Sequence, residues 1–358
     1  MSRATSATIH TDALRHNLQL IRRRAPGSKV MAVVKADGYG HGLERVARAL
    51  QGADAFGVAA LSDAERLRAA GLSQRIVLLS GPDEPDDLAL LRRLQVDAVI
   101  HHPSQLQLLA ADPGGAPIRT WLKLDTGMHR LGFPAAEAAE VHARLRALPG
   151  VHDEIVLMTH FARSDEFTSA ATREQMRRFD EAVAGLPGEH SLSNSAGVLG
   201  WPEAHRHWVR PGGALYGLSA VEGQSGLDLG LAPAMTLSTR LISVKQVEAG
   251  AAIGYGGAFV TPSAMRIGIA AIGYGDGYPR HAGSGTPVWV GGALTRTVGR
   301  VSMDLMAVDL DALPEAEVGT PVVAWGRGLP VETVAASAGT LGYELACGIT
   351  RRVRFIKD

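Results

Sequence analysis

The chain has 358 residues, with 36 Lys+Arg against 36 Asp+Glu, 46% hydrophobic and 20% charged residues. This length suggests about two domains and a sizeable core. The composition excludes a disordered chain, the lack of any apolar run of about 18 residues excludes a membrane helix, and zero net charge argues against nucleic acid, which needs a basic face.

The N-terminal stretch MSRATSATIHTDALRHNL has no apolar run of signal-peptide length, and the single cysteine, Cys347, cannot form an internal disulfide. Both point to a cytoplasmic protein. Strand-like apolar segments then follow at 31–36, 55–60, 76–80, 97–101, 118–125, 155–160, 190–195 and 214–219. Between most of them lie helix-like stretches such as LERVARALQ, DAERLRAAG, EPDDLALLRRLQ, AAEAAEVHARLRAL and SAATREQMRRFDEAVAG. Eight βα units in about 220 residues predict a (β/α)₈ TIM-like barrel. Beyond about residue 230 the period changes, and MTLSTRLISVKQVE, AMRIGIAAIG, TPVWVGG, ALTRTVG, LMAVDL and TPVVAW are short strands separated by Gly and Pro turns, with one helix near 331–341. The expected fold is therefore α/β plus β, with a barrel over 1–230 and a mostly β domain over 231–358.

Motif absences narrow the chemistry. The Gly clusters spell neither G-x-G-x-x-G nor G-x-x-x-x-G-K-[ST], and no G-x-S-x-G elbow is present. Thirteen histidines, including His101, His102, His205 and His207, come without H-E-x-x-H or Cys/His spacing, so no metal site is expected. Only five of the 36 cations are lysines, Lys29, Lys35, Lys123, Lys245 and Lys357, and Lys35 and Lys123 lie inside apolar, strand-like runs.

Lys35 stands at the end of a strand before the loop AVVKADGYGHG (32–42), the first βα loop of the expected barrel. It either leaves the strand end for water, or is desolvated so that its lowered pKa permits a Schiff base. Ser195 in NSA and the glycines of VRPGGALYG (209–217) fall where barrels hold a phosphate. A Schiff-base lysine opposite a phosphate site is what pyridoxal 5′-phosphate requires, with Arg210 a third group at the mouth.

AVVKADGYGHG (32–42), KLDTGMHRLGF (123–133), THF (159–161), NSA (194–196), VRPGGALYG (209–217), IGYGGAF (253–259), GYGDGYPR (273–280), GRVSMD (299–304) and GYELACGITRRV (342–353) resemble, in order, the motifs of bacterial alanine racemases. The resemblance spans essentially the whole chain. It implies a pyridoxal 5′-phosphate-dependent isomerase acting on alanine, a homodimer with shared active sites, and a role in supplying D-alanine for peptidoglycan or in catabolising it. By position, Lys35 is similar to the lysine that holds the cofactor and acts as a base. Tyr39, Ser195, Gly212, Gly213 and Tyr343 match phosphate-binding positions, His160 the histidine beside the ring, and Arg210 the arginine facing the ring nitrogen. Tyr255 resembles the second base, given by the partner subunit. Arg130, Met303 and Asp304 match substrate-carboxylate contacts, and Tyr274 the entry to the site. Lys123 matches a lysine that some members carbamylate, turning a cation that would repel Arg130 into an anion that orients it. Its other reading is a strand-end lysine paired with Asp125 or another acid.

The chemistry agrees with that pattern. Inverting Cα needs a base on each face of a planar intermediate, and lysine and tyrosine, both with an ordinary pKa of about 10, must each be made more acidic. Arginine only donates, so a ring nitrogen facing Arg210 stays unprotonated, which suppresses transamination. Tyr278, Gly213 and the tail CGITRRVRFIKD, which keeps Arg352 but lacks a Pro after R-V, depart from the family pattern. Three alternatives remain open at this point: a broader amino-acid racemase, a fold-related decarboxylase and a non-catalytic carrier of the same cofactor.

Overall fold

A computed structural model describes residues 4–112, 114–219, 221 and 223–357. Its first strand, β1 (Ser6–Ile9), precedes a helix over Thr11–Arg24. Then come β2 (Lys29–Val33), β3 (Ala55–Val58), β4 (Arg75–Leu78), β5 (Val96–Ile100), β6 (Ile118–Asp125), the two-residue β7 (Phe133–Pro134), β8 (Val151–Met158), β9 (His190–Ser191) and β10 (Trp208–Val209). Strands β2–β6 and β8–β10 pair in parallel in the order β5-β4-β3-β2-β10-β9-β8-β6, and β6 returns to β5, closing an eight-stranded barrel. The expected (β/α)₈ architecture is thus what the chain forms. Its eighth strand is Trp208–Val209, however, and not 214–219 as predicted. Ala214, Leu215 and Tyr216 are fully buried, but in a 3₁₀ turn over Gly213–Tyr216. A short apolar run marks burial, not backbone conformation.

The barrel interior is filled by Met31, Ala55, Val77, Val99, Trp121, Val156, Met158 and Trp208. Its floor is unusually polar. Asp97, buried, accepts from Arg75 Nε at 2.5 Å and from Trp121 Nε1 at 2.9 Å. The Arg75 guanidinium lies over Trp121 and Trp208, 5.7 and 5.4 Å from the ring centres, and Lys29 covers Trp208 from 5.2 Å. Cation–π contact and an ion pair therefore close one end, leaving chemistry to the other.

Past the barrel the chain forms β11 (Met235–Val247), β12 (Ala252–Ile253), β13 (Phe259–Val260), β14 (Met265–Ala270), β15 (Pro287–Val290), β16 (Ala293–Val298), β17 (Met306–Asp309), β18 (Pro321–Trp325) and β19 (Arg354–Lys357). The long β11, bulged at Leu241/Ser243, pairs with β18 by its first half and with β14 by its second. With β17, β16 and β15 these make a closed ring of six antiparallel strands. A helix over Val331–Ser337 is where one was predicted, and a second follows over Gly342–Cys347.

Two compact units result. One holds Arg15–Leu215; the other holds the chain up to Leu14, Tyr216–Ser219 and everything from Gln224 onward. The units therefore do not follow a division at 230/231. The reason is β1, which pairs antiparallel with β11 and parallel with β19 and so belongs to the β unit despite its position in the sequence.

Candidate active site

At the end of β2 the chain turns left-handed. Ala36, Asp37, Gly38 and Tyr39 have φ of 54°, 53°, 64° and 52°. For the three non-glycine residues this costs about 1–2 kcal/mol each. At Gly38 a Cβ would lie 2.9 Å from Val46 Cγ2, so a side chain there would force a neighbour to shift. Hydrogen bonds hold the turn: Gly40 N–H to Ala36 O at 3.0 Å, Gly42 N–H to Asp37 O at 2.8 Å, and His41 Nδ1 to Tyr39 O at 2.8 Å. Of the two readings of Lys35, the structure shows the one in which it leaves the strand end: β2 stops at Val33 and Lys35 is exposed. Its charge is felt by Lys123 and His160, so it belongs to a cluster of cations.

The buried lysine is Lys123, 7% exposed. Side chains alternate along a strand, and Lys123, His160 and Arg210 each stand two residues beyond an interior residue, Trp121, Met158 and Trp208 respectively. Burial first, and then the charges of Arg210, Arg130 and Lys35, pull the Lys123 ammonium down to about 8, with Asp125 opposing. Asp125 does not pair with it as expected for a strand-end lysine. Its Oδ1 accepts the amides of Gly127, Met128 and His129 at 2.9–3.1 Å, and Oδ2 meets His129 Nδ1 at 3.1 Å, shaping the loop that carries Arg130. Burial disfavours the Asp125 carboxylate, but these amides hold its pKa below the usual value.

Arg210 is 4% exposed, and both of its terminal nitrogens are engaged. Its Nη1 donates to Ser191 Oγ at 2.7 Å, and its Nη2 to Thr159 O at 2.6 Å and Leu192 O at 3.3 Å, with His160 Nδ1 also at 3.3 Å. Burial lowers it to about 10, which leaves it charged at neutral pH. Since guanidinium has no acceptor, His160 Nδ1 must accept and its proton sits on Nε2. Burial, and then the charges of Arg210 and Lys123, hold His160 well below the ordinary imidazole range.

Ser195 opens a short helix whose N-cap, Asn194, accepts from Gly197 N–H at 2.9 Å. The Ser195 hydroxyl accepts from Gly212 N–H at 2.9 Å and Ala214 N–H at 3.2 Å. A Cβ at 212 would come within 2.4 Å of Tyr39 Oη, so any larger residue would displace that phenol. The two N–H groups, with Gly213 between them, thus orient the Ser195 hydroxyl, whose own hydrogen is left to donate to an anion.

The remaining predicted residues stand in the β unit. Tyr255, in a turn between β12 and β13, is 71% exposed, and Met303 and Tyr274 are also exposed. Tyr274 and Gly275 N–H bond Ser302 O and Met303 O at 3.1 and 2.8 Å. Arg352 binds Asp304 and lies 3.5 Å from the buried Asp276. Tyr343 is half-buried in the helix over Gly342–Cys347. Tyr278 is buried and stacks on Trp325 with centroids 5.9 Å apart. Among the described residues no group of His, Cys, Asp or Glu is arranged to hold a metal.

The sequence reading missed Ser191 and Thr159, which anchor Arg210, and Gln175, whose Nε2 reaches His160 O at 3.1 Å. Backbone carbonyls and single hydroxyls leave no pattern in a sequence. Parity is the one available signal, since Ser191 precedes Ser193 and Ser195 on alternate positions of the same segment.

Comparison with known proteins finds two family matches, "Alanine racemase, N-terminal domain" over residues 9–220 and "Alanine racemase, C-terminal domain" over 234–357. Alanine racemase of Shewanella loihica is 50% identical over 347 residues, 97% of each chain, and that of Yersinia pestis 49% over 351 residues, 98% of each. Among solved structures, the biosynthetic alanine racemase of Pseudomonas aeruginosa superposes with a TM-score of 0.97 at 46% identity over 99% of both chains. That of Acinetobacter baumannii gives 0.93 at 36% identity over 99% of this chain and 100% of its own.

Proposed function

The chain belongs to the alanine racemase family and interconverts L- and D-alanine, and from that premise we propose that Lys35 and Tyr255 are its two bases and pyridoxal 5′-phosphate its cofactor. The observation that carries this reading is the Ser195 hydroxyl, held by the Gly212 and Ala214 N–H groups so that its own hydrogen is left to donate, with Tyr39 Oη next to Gly212 and a buried, charged Arg210 two residues before it. These hydroxyl donors suit a phosphate group, and Gly213 and Tyr343 match further phosphate positions of the family. Arg210, which can only donate, suits an unprotonated ring nitrogen, and neutral His160 stands against it without adding charge. When bound, this cofactor delocalises the electron pair left on Cα after deprotonation.

Racemisation then requires a proton acceptor on each face of Cα. Lys35 Nζ takes or gives the proton on one face. Tyr255 Oη serves the other. A tyrosine 71% exposed in a single chain, with Tyr274, Met303 and Leu305 also exposed on the same unit, supports a homodimer in which each chain lends Tyr255 to its partner's site. Arg130, Met303 and Asp304 are the groups for the alanine carboxylate, and Tyr274 lines the entry.

Lys123 fits a carbamate better than an ammonium. Its buried amine, lowered to about 8, has no hydrogen-bond or ion-pair partner among the described residues, while Arg210, Arg130 and Lys35 repel it. Attack of the neutral amine on carbon dioxide forms one N–C bond and releases one proton. The product anion is attracted to the cations that the ammonium repels.

The test is D-alanine formation from L-alanine with added cofactor, run against serine, lysine and arginine. Lys35→Ala should lose both activity and the visible absorbance of lysine-bound cofactor. Retention of both would sink the assignment of Lys35. No helix of the described residues is long and apolar enough to cross a membrane, in keeping with a small-molecule enzyme.

A further inference from the structure

The left-handed turn that carries Lys35 and Tyr39 is held from outside by a neighbouring βα unit. Arg66, on the helix over Leu61–Ala69, donates from Nη2 to Asp37 Oδ1 at 2.8 Å. The same guanidinium grips Glu44 with both branches, Nε to Oε1 and Nη2 to Oε2, each at 2.8 Å. Asp37 sits inside the turn and Glu44 in the first turn of the helix over Leu43–Ala49 that follows it. The Asp37 oxygen that meets Arg66 also accepts the Leu43 amide at 3.1 Å, so it ties the turn to the start of that helix. Without a cation between them, Asp37 and Glu44 are like charges on adjacent elements; Asp63, 3.9 Å from Arg66 Nη1, adds a third. Only the planar fork of arginine spans two carboxylates in this way.

Strained backbone persists only where its surroundings over-determine it. We propose that Arg66 is a positioning residue for the reaction: by clamping Asp37 to Glu44 it fixes the left-handed turn and hence the places of Lys35 and Tyr39. The proposal rests on the reading of those two residues as cofactor and base positions. Arg66 touches neither.

The test uses the full chain as Arg66→Gln and Arg66→Lys. In the cofactor-free protein, amide exchange at Gly42 and Leu43 should quicken in Arg66→Gln while the melting temperature stays near that of the parent. With pyridoxal 5′-phosphate, the dissociation constant should rise about threefold to tenfold. At saturating cofactor kcat should fall, with KM for alanine changed less than about twofold. Arg66→Lys should fall between parent and Arg66→Gln, and in an Asp37→Asn background Arg66→Gln should add no further loss. Parental exchange, affinity and kcat in Arg66→Gln would overturn the clamp, as would losses that add fully to those of Asp37→Asn. The exchange measurement needs no cofactor. If Lys35→Ala keeps the lysine-bound absorbance, the cofactor reading fails, while faster exchange in Arg66→Gln still establishes the clamp on the turn.

Discussion

Arg210 Nη2 lies 3.3 Å from His160 Nδ1, with the arginine buried and the imidazole half-buried. A donor that is never an acceptor fixes the imidazole as neutral, with its lone pair on Nδ1. The unfolded chain binds a proton near pH 6.5 that the fold refuses, so the stability contributed here is lost as pH falls below about 6.5. Urea midpoints measured from about pH 7 to about pH 5 should therefore drop more steeply for the parent than for His160→Gln. Other histidines titrate equally in both proteins. Parallel slopes would show that His160 accepts a proton in the folded state.

Lys123 makes the opposite end of the pH scale informative. Its ammonium is lowered from the ordinary 10.5 to about 8, a difference of roughly 3 kcal/mol. Between those values the unfolded chain holds a proton that the folded one has released, so stability rises with pH across that window and is lowest below about 8. In buffer freed of carbon dioxide, where Lys123 carries its unmodified amine, Lys123→Met should flatten the rise. With ¹³C-labelled bicarbonate the parent should show a carbamate carbon resonance that Lys123→Met lacks; its absence in the parent would rule out the modification.

How far the sequence reaches can be judged at these same residues. Barrel strands β2–β6 were legible because their apolar runs are continuous and bounded by turn residues, as in IVLLS or DAVIH. Trp208–Val209 was not, because two ladder-forming residues set no period, and Ser6–Ile9 was not, because its partners, β11 and β19, lie far along the chain. Lys35 and Lys123 were both picked out as lysines in apolar runs. Their environments differ: the strand ends at Val33, leaving Lys35 exposed, whereas Lys123 stays buried within β6 two residues after Trp121. A sequence shows that a lysine is near apolar neighbours, not on which side of the strand end it falls.

The contact between Gly212 and Tyr39 predicts the effect of one methyl group. An alanine Cβ would sit 2.4 Å from Tyr39 Oη and 3.1 Å from Cζ, forcing the ring or the Gly212 backbone to move at a cost of about 1–3 kcal/mol. Gly212→Ala should weaken cofactor binding by about tenfold or more, measured by equilibrium dialysis. Adding Tyr39→Phe removes the closest atom and should relieve part of the clash in the melting temperature. A Gly212→Ala protein with parental affinity would show that the anion site is elsewhere.

At the barrel floor the relevant quantity is stability. Asp97 joins Arg75 and Trp121 in a buried arrangement, and a buried pair contributes little against apolar packing but is costly to break. Asp97→Ala should lower the unfolding free energy by about 3–5 kcal/mol, with kcat of the fully loaded enzyme near the parent's. A loss under about 1 kcal/mol in urea titration would mean that water already reaches the Arg75 guanidinium.

The exposure of Tyr255 leads to the test of how the active site is shared. In one chain this phenol is open to solvent, and a base must sit in a site from which water is largely excluded, so the partner chain is the cover that the reading requires. Tyr255→Phe keeps the ring and removes only the titrating oxygen; activity should collapse in both directions while cofactor stays bound. Lys35→Ala should be inactive for a different reason. If each site takes Lys35 from one chain and Tyr255 from the other, a mixed dimer of the two variants contains one doubly impaired site and one intact site. Co-refolded mixtures should therefore regain part of the parental rate, rising with the fraction of mixed dimer. If each site is built from a single chain, every site in the mixture lacks a base and the rate stays at that of the separate variants, an outcome that would reject the shared arrangement.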